Sequence, residues 1–282
     1  MSPMSLMSPM SPMAPAAAAK LHRLQAALRS AGRAAVAFSG GVDSSFLLRV
    51  AADTLGPANV LAIIGDSPSL PRHELALARQ FAAATGVECL VIFPEEMRNP
   101  RYTANPPDRC YFCKHALFTG VRQAAANRGI ATILEGSNAD DTGDHRPGRR
   151  AAAELGVQSP LLEAGLAKAE IRELSRHLGL PTADKPAMAC LASRLPYGTP
   201  VTAASLAQVE AAESRLRDAG FRGARVRHHG DIARLELDPA EFPRLLDPNL
   251  RGELTAALKR LGWRYVSLDL QGYRTGSLNE AL

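Results

Sequence analysis

Ala34-Ala35-Val36-Ala37-Phe38 leads into Ser39-Gly40-Gly41-Val42-Asp43-Ser44, and that into Ser45-Phe46-Leu47-Leu48-Arg49-Val50. A short apolar run, a small glycine-rich turn and a helix-like stretch follow one another, so the pattern predicts a strand, a tight loop and a helix. Such a loop turns backbone N–H groups and the positive end of a helix toward an anion. Gly40 and Gly41 remove side chains that would keep a phosphate at a distance, while Ser39 and Ser44 add hydroxyl donors. Asp43, an acid beside a phosphate site, makes chemical sense as a Mg²⁺ partner. The stretch lacks Gly-Lys-Ser/Thr, so γ-phosphate chemistry of the Walker type is not expected.

Outward from this loop, helical and strand periods alternate. Leu21, Leu24 and Leu28 mark an amphipathic helix starting at Lys20. Strands are expected at 60–64, 87–93 and 131–135, with one helix opened by Pro71 and another over 114–128. This alternation predicts an α/β fold, a doubly wound parallel sheet that binds ligands at the carboxyl ends of its strands. Gly65-Asp66-Ser67 and Gly136-Ser137-Asn138 also follow strands, so they are expected to gather with the glycine loop at that edge. Residues 140–159 read as loop, 168–178 as helix and 181–200 as irregular. Past Thr202 come a helix to Ala219, a hairpin turning at His229-Gly230-Asp231, a helix over 250–261 and a strand over 264–268. The expected division is a disordered tail at 1–19, a nucleotide-binding domain at 20–198 and a small α+β domain at 199–282.

Composition narrows the class. The 282 residues are 46% hydrophobic without a long apolar run, which argues for a soluble protein and against a membrane span. The net charge of +5 suits a polyanion, but the basic residues are scattered, so a phosphorylated small molecule satisfies it and nucleic acid is not indicated. The N-terminal Met/Ser/Pro/Ala stretch has no basic region or apolar core and does not read as a signal peptide. Four cysteines without one suit a reducing compartment, by default the cytoplasm, where paired cysteines signal metal or redox chemistry.

Cys110-Tyr111-Phe112-Cys113 follows a Pro-rich loop and precedes the 114–128 helix. It reads as a redox pair, part of a zinc site or part of an iron–sulfur site. Cys190 is the available third thiol; together the three can hold three irons of a [4Fe–4S] cluster, or a Zn²⁺ with His115. Cys89 lies within a strand and reads as a small buried apolar residue. Arg225 and Arg227 alternate on a strand, so both face one way and can clamp one phosphate. Arg194, four residues after Cys190, is near enough to hold a substrate beside it, and Lys114 adjoins Cys113 as a cation for an anionic intermediate or a helix start. His228 and His229 read as hairpin-turn residues in preference to metal ligands.

Ser39–Ser44 resembles the PP-loop of ATP pyrophosphatases. Further on come Glu135-Gly136-Ser137-Asn138-Ala139-Asp140-Asp141, Asp144-His145-Arg146-Pro147-Gly148, the run from Asp184 to Arg194, and Arg225-Val226-Arg227-His228-His229-Gly230-Asp231. Together these resemble the LarE family of ATP-dependent sulfur transferases, which help build the nickel-pincer nucleotide cofactor. The resemblance implies a small pyridinium mononucleotide with two ring carboxylates as substrate, ATP and Mg²⁺ at Ala37, Ser39, Gly40, Gly41, Asp43, Ser44 and Gly136, and substrate contacts at Ser193, Arg194, Arg225 and Arg227. It implies catalytic roles for Asp43, Lys114 and Cys190, and assembly as a homo-oligomer through the C-terminal domain. Two sulfur donors follow from it. One is sulfide on a [4Fe–4S] cluster held by Cys110, Cys113 and Cys190; the other is Cys190 itself, consumed in a single turnover. A tRNA thiolase and a redox nucleotide sensor are the competing readings, the first calling for an RNA-binding module that residues 200–282 do not display.

Overall fold

The computed structural model describes residues 14–142 and 147–274. Asp144, His145 and Arg146 lie outside the described residues, as do 1–13. The elements in order are α1 (Pro15–Ala31), β1 (Ala34–Ala37), α2 (Val42–Leu55), β2 (Val60–Gly65), α3 (Arg72–Ala84), β3 (Glu88–Ile92), α4 (Pro100–Thr103), α5 (Arg109–Ala126) and β4 (Thr132–Leu134). They continue with α6 (Pro147–Glu154), α7 (Pro160–Glu163), α8 (Lys168–His177), α9 (Ala203–Asp218), β5 (Arg225–His229), β6 (Ile232–Glu236), α10 (Pro248–Arg260) and β7 (Tyr265–Leu268). No described helix is long and apolar enough to cross a membrane.

The first four strands form a parallel sheet in the order β3-β2-β1-β4, the α/β arrangement expected. Alternate strand residues feed two cores. Ala34, Val36, Val60, Ala62 and Ile64 pack beneath α1, α2, α3 and α8, while Ala35, Leu61, Ile63 and Ile133 pack against Phe118, Val121 and Ala125 of α5. The strand order reverses between β1 and β4, which opens a crevice there at the carboxyl ends. The second sheet, β5-β6-β7, is mixed: β5 and β6 form the hairpin, and β7 runs parallel to β6.

Three local readings change. The first helix begins at Pro15, not Lys20, because proline suits a first helical turn and the Ala16–Ala19 run has the highest helix propensity. Cys110 and Cys113 lie in the first turns of α5, not before the helix: Pro106-Pro107-Asp108 is a helix start. Pro147 likewise opens α6 within a stretch expected to be loop.

The expected domain boundary falls inside a shared core. Met97, Tyr102, Phe112 and Cys113 pack with Leu191, Ala192 and Leu195 against α9, α10 and the second sheet. Asn105 locks the crossing: fully buried at φ 57°, it donates from Nδ2 to Pro196 O (2.7 Å) and Thr199 O (2.9 Å) and receives Gly198 N–H on its own carbonyl (2.9 Å).

An ion pair ties α1 to α8. Lys20 Nζ donates to both oxygens of Glu170, at 2.7 and 2.6 Å, and Ala167 N–H donates to Glu170 Oε2 at 2.9 Å. Partial burial pushes the Glu170 carboxyl up, but the Lys20 bonds and that amide outweigh it and hold it below the ordinary 4.5. The pair's contribution is therefore present above about pH 4.5 and lost as pH falls through the lowered folded value. Glu170→Gln is expected to cost about 0.2–1 kcal/mol at neutral pH and nothing in strong acid, measurable by denaturant melts at both.

Candidate active site

The glycine loop spans the crevice. Gly41, extended, precedes α2 without a side-chain cap, so the first N–H groups of the helix are left for a ligand. Gly40 sits at φ 72°, and a Cβ there would lie 2.8 Å from Ala78 Cβ, so glycine is required twice over. Ser39 Oγ and Ser44 Oγ are 3.1 Å apart, and Ala37 ends β1 just before them. Gly136, after β4, packs onto the same helix start: a Cβ would meet Ser44 N at 3.0 Å. The loop and Gly136 thus meet at the switch point, with Gly65 ending β2 and Asp66-Ser67 following it at the same edge.

Asp43 faces a partner that inspection of the sequence does not supply. Its Oδ2 accepts Lys168 Nζ at 2.5 Å, and Asn138 Nδ2 approaches Oδ1 at 3.4 Å. Among the described residues no three or more His, Cys, Asp or Glu side chains are grouped to hold a metal ion alone. One carboxylate nevertheless fits Mg²⁺, which is commonly held by one or two carboxylates together with the substrate's phosphates.

Lys185 links this loop to the sulfur-bearing segment. Its ammonium donates to Gly40 O at 2.9 Å and pairs with the buried Glu74. A few residues on, Leu191 N–H bonds Ser69 O at 2.8 Å. Between these anchors lies Cys190, which packs against the same core as Cys113. Withdrawal from water, followed by the nearby Cys190, raises the Cys113 thiol, and Lys114 opposes the shift, whereas Cys110 is exposed. Lys114 Nζ also lies 5.1 Å from the Phe118 ring centre. His115 does not join the thiols: it is exposed, two residues past Cys113, and stacks on Tyr111. Residues two apart on a helix do not share a face, which removes the alternative zinc set with His115. The three thiols have the donor chemistry of an iron–sulfur site, although they are not gathered into a metal-holding group in this structure.

The arginines are divided. Arg194 is 3% exposed and grips Glu213 at 2.8 and 3.0 Å, while donating to Ala189 O (2.8 Å) and Cys190 O (3.0 Å). Ser193 Oγ donates to Cys190 O at 2.8 Å, so Ser193 and Arg194 both brace the turn carrying the thiol. Arg227 reaches Ser193 O (2.6 Å) and the fully buried Glu236 (2.9 Å). Arg225 instead donates to main-chain carbonyls of Gly223 and Ala224, at 3.1 and 3.0 Å, and lies 5.2 Å from the Tyr273 ring centre. Burial and the neighbouring Arg194 and Arg227 hold its pKa below the usual arginine value. The expected pair of equivalent phosphate clamps is therefore unequal, with Arg225 the more available.

Other residues escaped sequence reasoning. Glu213 lies seven residues after Leu206 and four after Val209, both buried, so a carboxylate on the core stripe of α9 was a usable sign of a buried partner. Glu236 stands opposite Arg225 across the hairpin, a cross-strand pairing readable once the two-residue turn is placed. Lys168 carried no signal beyond opening a helix.

No protein-family profile matches the chain. A Synechocystis protein of uncharacterised role is 43% identical over 263 residues, covering 93% of this chain and 98% of that one. The pyridinium-3,5-bisthiocarboxylic acid mononucleotide synthase of Lactiplantibacillus plantarum is 40% identical over 259 residues, covering 92% and 93% respectively. A glutamine-hydrolysing GMP synthase component from Thermoplasma volcanium is 26% identical over 168 residues, covering 55% of this chain and 54% of that one. With 40% identity along nearly its whole length, the chain belongs to the family of the pyridinium-3,5-bisthiocarboxylic acid mononucleotide synthase, the LarE family.

Proposed function

We propose that this chain is an ATP-dependent sulfurtransferase that converts the ring carboxylates of pyridinium-3,5-biscarboxylate mononucleotide to thiocarboxylates. The observation that carries the reading is the segment from Lys185 to Arg194, bonded at one end to Gly40 of the glycine loop and bearing Cys190 at the other. It joins a site suited to activating an oxygen with a site suited to delivering sulfur.

In this reading ATP lies on Ala37, Ser39, Gly40, Gly41, Ser44 and Gly136, with Asp43 contributing to Mg²⁺ binding. A substrate carboxylate attacks the α-phosphorus, the α,β P–O bond breaks, and pyrophosphate leaves. Sulfur then attacks the acyl carbon and the C–O bond to AMP breaks; a second round converts the other carboxylate. Residues 20–198 serve activation, and 199–282 serve substrate binding and homo-oligomer assembly, in the cytoplasm. Cys110, Cys113 and Cys190 would hold a [4Fe–4S] cluster, which when bound supplies an open iron for an exchangeable sulfide. Lys114 beside the thiols balances negative charge there, while Ser193 and Arg194 fix the Cys190 turn. The alternative keeps the same activation step and takes sulfur from Cys190 by cleavage of its Cβ–S bond.

Incubating the protein with Mg·ATP and the dicarboxylate mononucleotide is expected to yield AMP, pyrophosphate and a thiocarboxylate product by mass spectrometry. ADP with orthophosphate would overturn the reading. The two β5 arginines are expected to separate. Arg225→Ala should weaken mononucleotide binding by about 1.5–3 kcal/mol with an unchanged melting point, as for a lost charge-assisted hydrogen bond. Arg227→Ala removes one of the two arginines on the buried Glu236, Arg234 keeping its bond at 3.0 Å, and should cost about 1.5–3 kcal/mol of stability. Calorimetric titration and thermal melts distinguish the two; equal melting points would contradict the assignment.

A further inference from the structure

Lys168 is anchored at its base and movable at its tip. Its N–H donates to Asp140 Oδ2 at 2.8 Å, and Ala139 N–H donates to Leu166 O at 2.8 Å, so the turn after β4 grips the start of α8. The ammonium then reaches Asp43 Oδ2 at 2.5 Å. Asp43 stands in the first turn of α2, which has no side-chain cap, so this charge is brought to the N–H groups left for phosphate. Lys185 also reaches the glycine loop but is committed there, since it pairs with the buried Glu74 and donates to Gly40 O. Among the described residues the Lys168 ammonium bonds Asp43 alone. That pair is partly open to water on both sides, and such a pair parts at little cost.

We propose that Lys168 is a catalytic residue of the activation step, its ammonium passing from Asp43 to the oxygens of the departing pyrophosphate. This deepens the sulfurtransferase reading and rests on its ATP-activating half, not on either sulfur donor. Once Asp43 serves Mg²⁺, Lys168 is left as a cation beside the polyphosphate. As the substrate carboxylate bonds to the α-phosphorus, the α,β P–O bond breaks and its electron pair stays on the pyrophosphate oxygen. Lys168 remains protonated and donates hydrogen bonds to that leaving group. Charge is thus met as it develops, and no proton changes place.

Lys168→Met and Lys168→Arg in the full chain test this. In titration calorimetry, Lys168→Met is expected to bind magnesium pyrophosphate about ten- to hundredfold more weakly, the scale of a lost hydrogen bond between charged groups, and to bind AMP within about twofold of the unaltered protein. Lys168→Arg keeps the cation and should recover most of the pyrophosphate affinity. With Mg·ATP and the mononucleotide, pyrophosphate release by Lys168→Met should slow about a hundredfold while KM for ATP rises far less, because the contact strengthens as the bond breaks. The open pair with Asp43 leaves melting points nearly unchanged, and Lys168→Gln repeats the titration if methionine disturbs the start of α8. Unchanged pyrophosphate affinity in the neutral variants, or an equal loss of AMP affinity, would overturn the proposal and leave Lys168 a partner of Asp43 only. Absence of pyrophosphate release from the unaltered protein would instead strike the sulfurtransferase reading itself.

Discussion

Asp43→Asn is expected to abolish pyrophosphate release while the fold survives. The carboxylate stands in the first turn of α2, at the strand-order reversal, with Lys168 on one oxygen at 2.5 Å and Asn138 near the other. Asparagine keeps the shape and removes the charge that a Mg²⁺ ion needs. A metal ion's share of transition-state stabilisation is several kcal/mol, so the rate should fall about a thousandfold or more. The stability change should stay within about 1 kcal/mol, because the Asp43–Lys168 pair is partly open to solvent. Coupled pyrophosphate assays and thermal melts suffice. Retention of a tenth of the rate would remove Asp43 from the metal site.

The cysteines separate the two sulfur donors. If a cluster spans Cys110, Cys113 and Cys190, each single Cys→Ala change is expected to lower iron content and abolish multiple-turnover transfer, since two thiolates hold too few irons. If Cys190 is itself consumed, Cys190→Ala alone is fatal, and Cys110→Ala retains one turnover. The reacted protein would then carry dehydroalanine at 190, seen as loss of H₂S in its intact mass. Finding that lesion in a cluster-loaded sample after stoichiometric turnover would defeat the cluster reading; an unmodified Cys190 after several turnovers with added sulfide would support it.

The parallel sheet and the glycine loop at its carboxyl edge were legible because a strand, a glycine turn and a helix leave a local trace. Gly40 needs a positive φ and Gly136 a close approach to Ser44, and both constraints appear as glycine in the chain. The helical setting of Cys110 was obscured by the prolines before it, although Pro106-Pro107-Asp108 is itself a start signal. What resisted reading were pairings across long separations. Nothing near Asp43 announces Lys168, and nothing in Arg227 announces that Ser193 O will occupy it. Such partners are set by how helices cross the sheet, not by local preference.

The Asn105 lock has a consequence for biosynthesis. Translation delivers the strands of the first sheet by Leu134, so that sheet can close early. Asn105, however, bonds carbonyls at 196 and 199, and Cys113 packs with residues around 190, all of which emerge later. Between Cys113 and Cys190 lie 77 steps of synthesis, roughly 4–15 s at ordinary elongation rates. For that interval Cys113 hangs from a growing chain without the residues that pack on it in the second core. On the cluster reading, loading therefore belongs after Cys190 has emerged and the second core has closed.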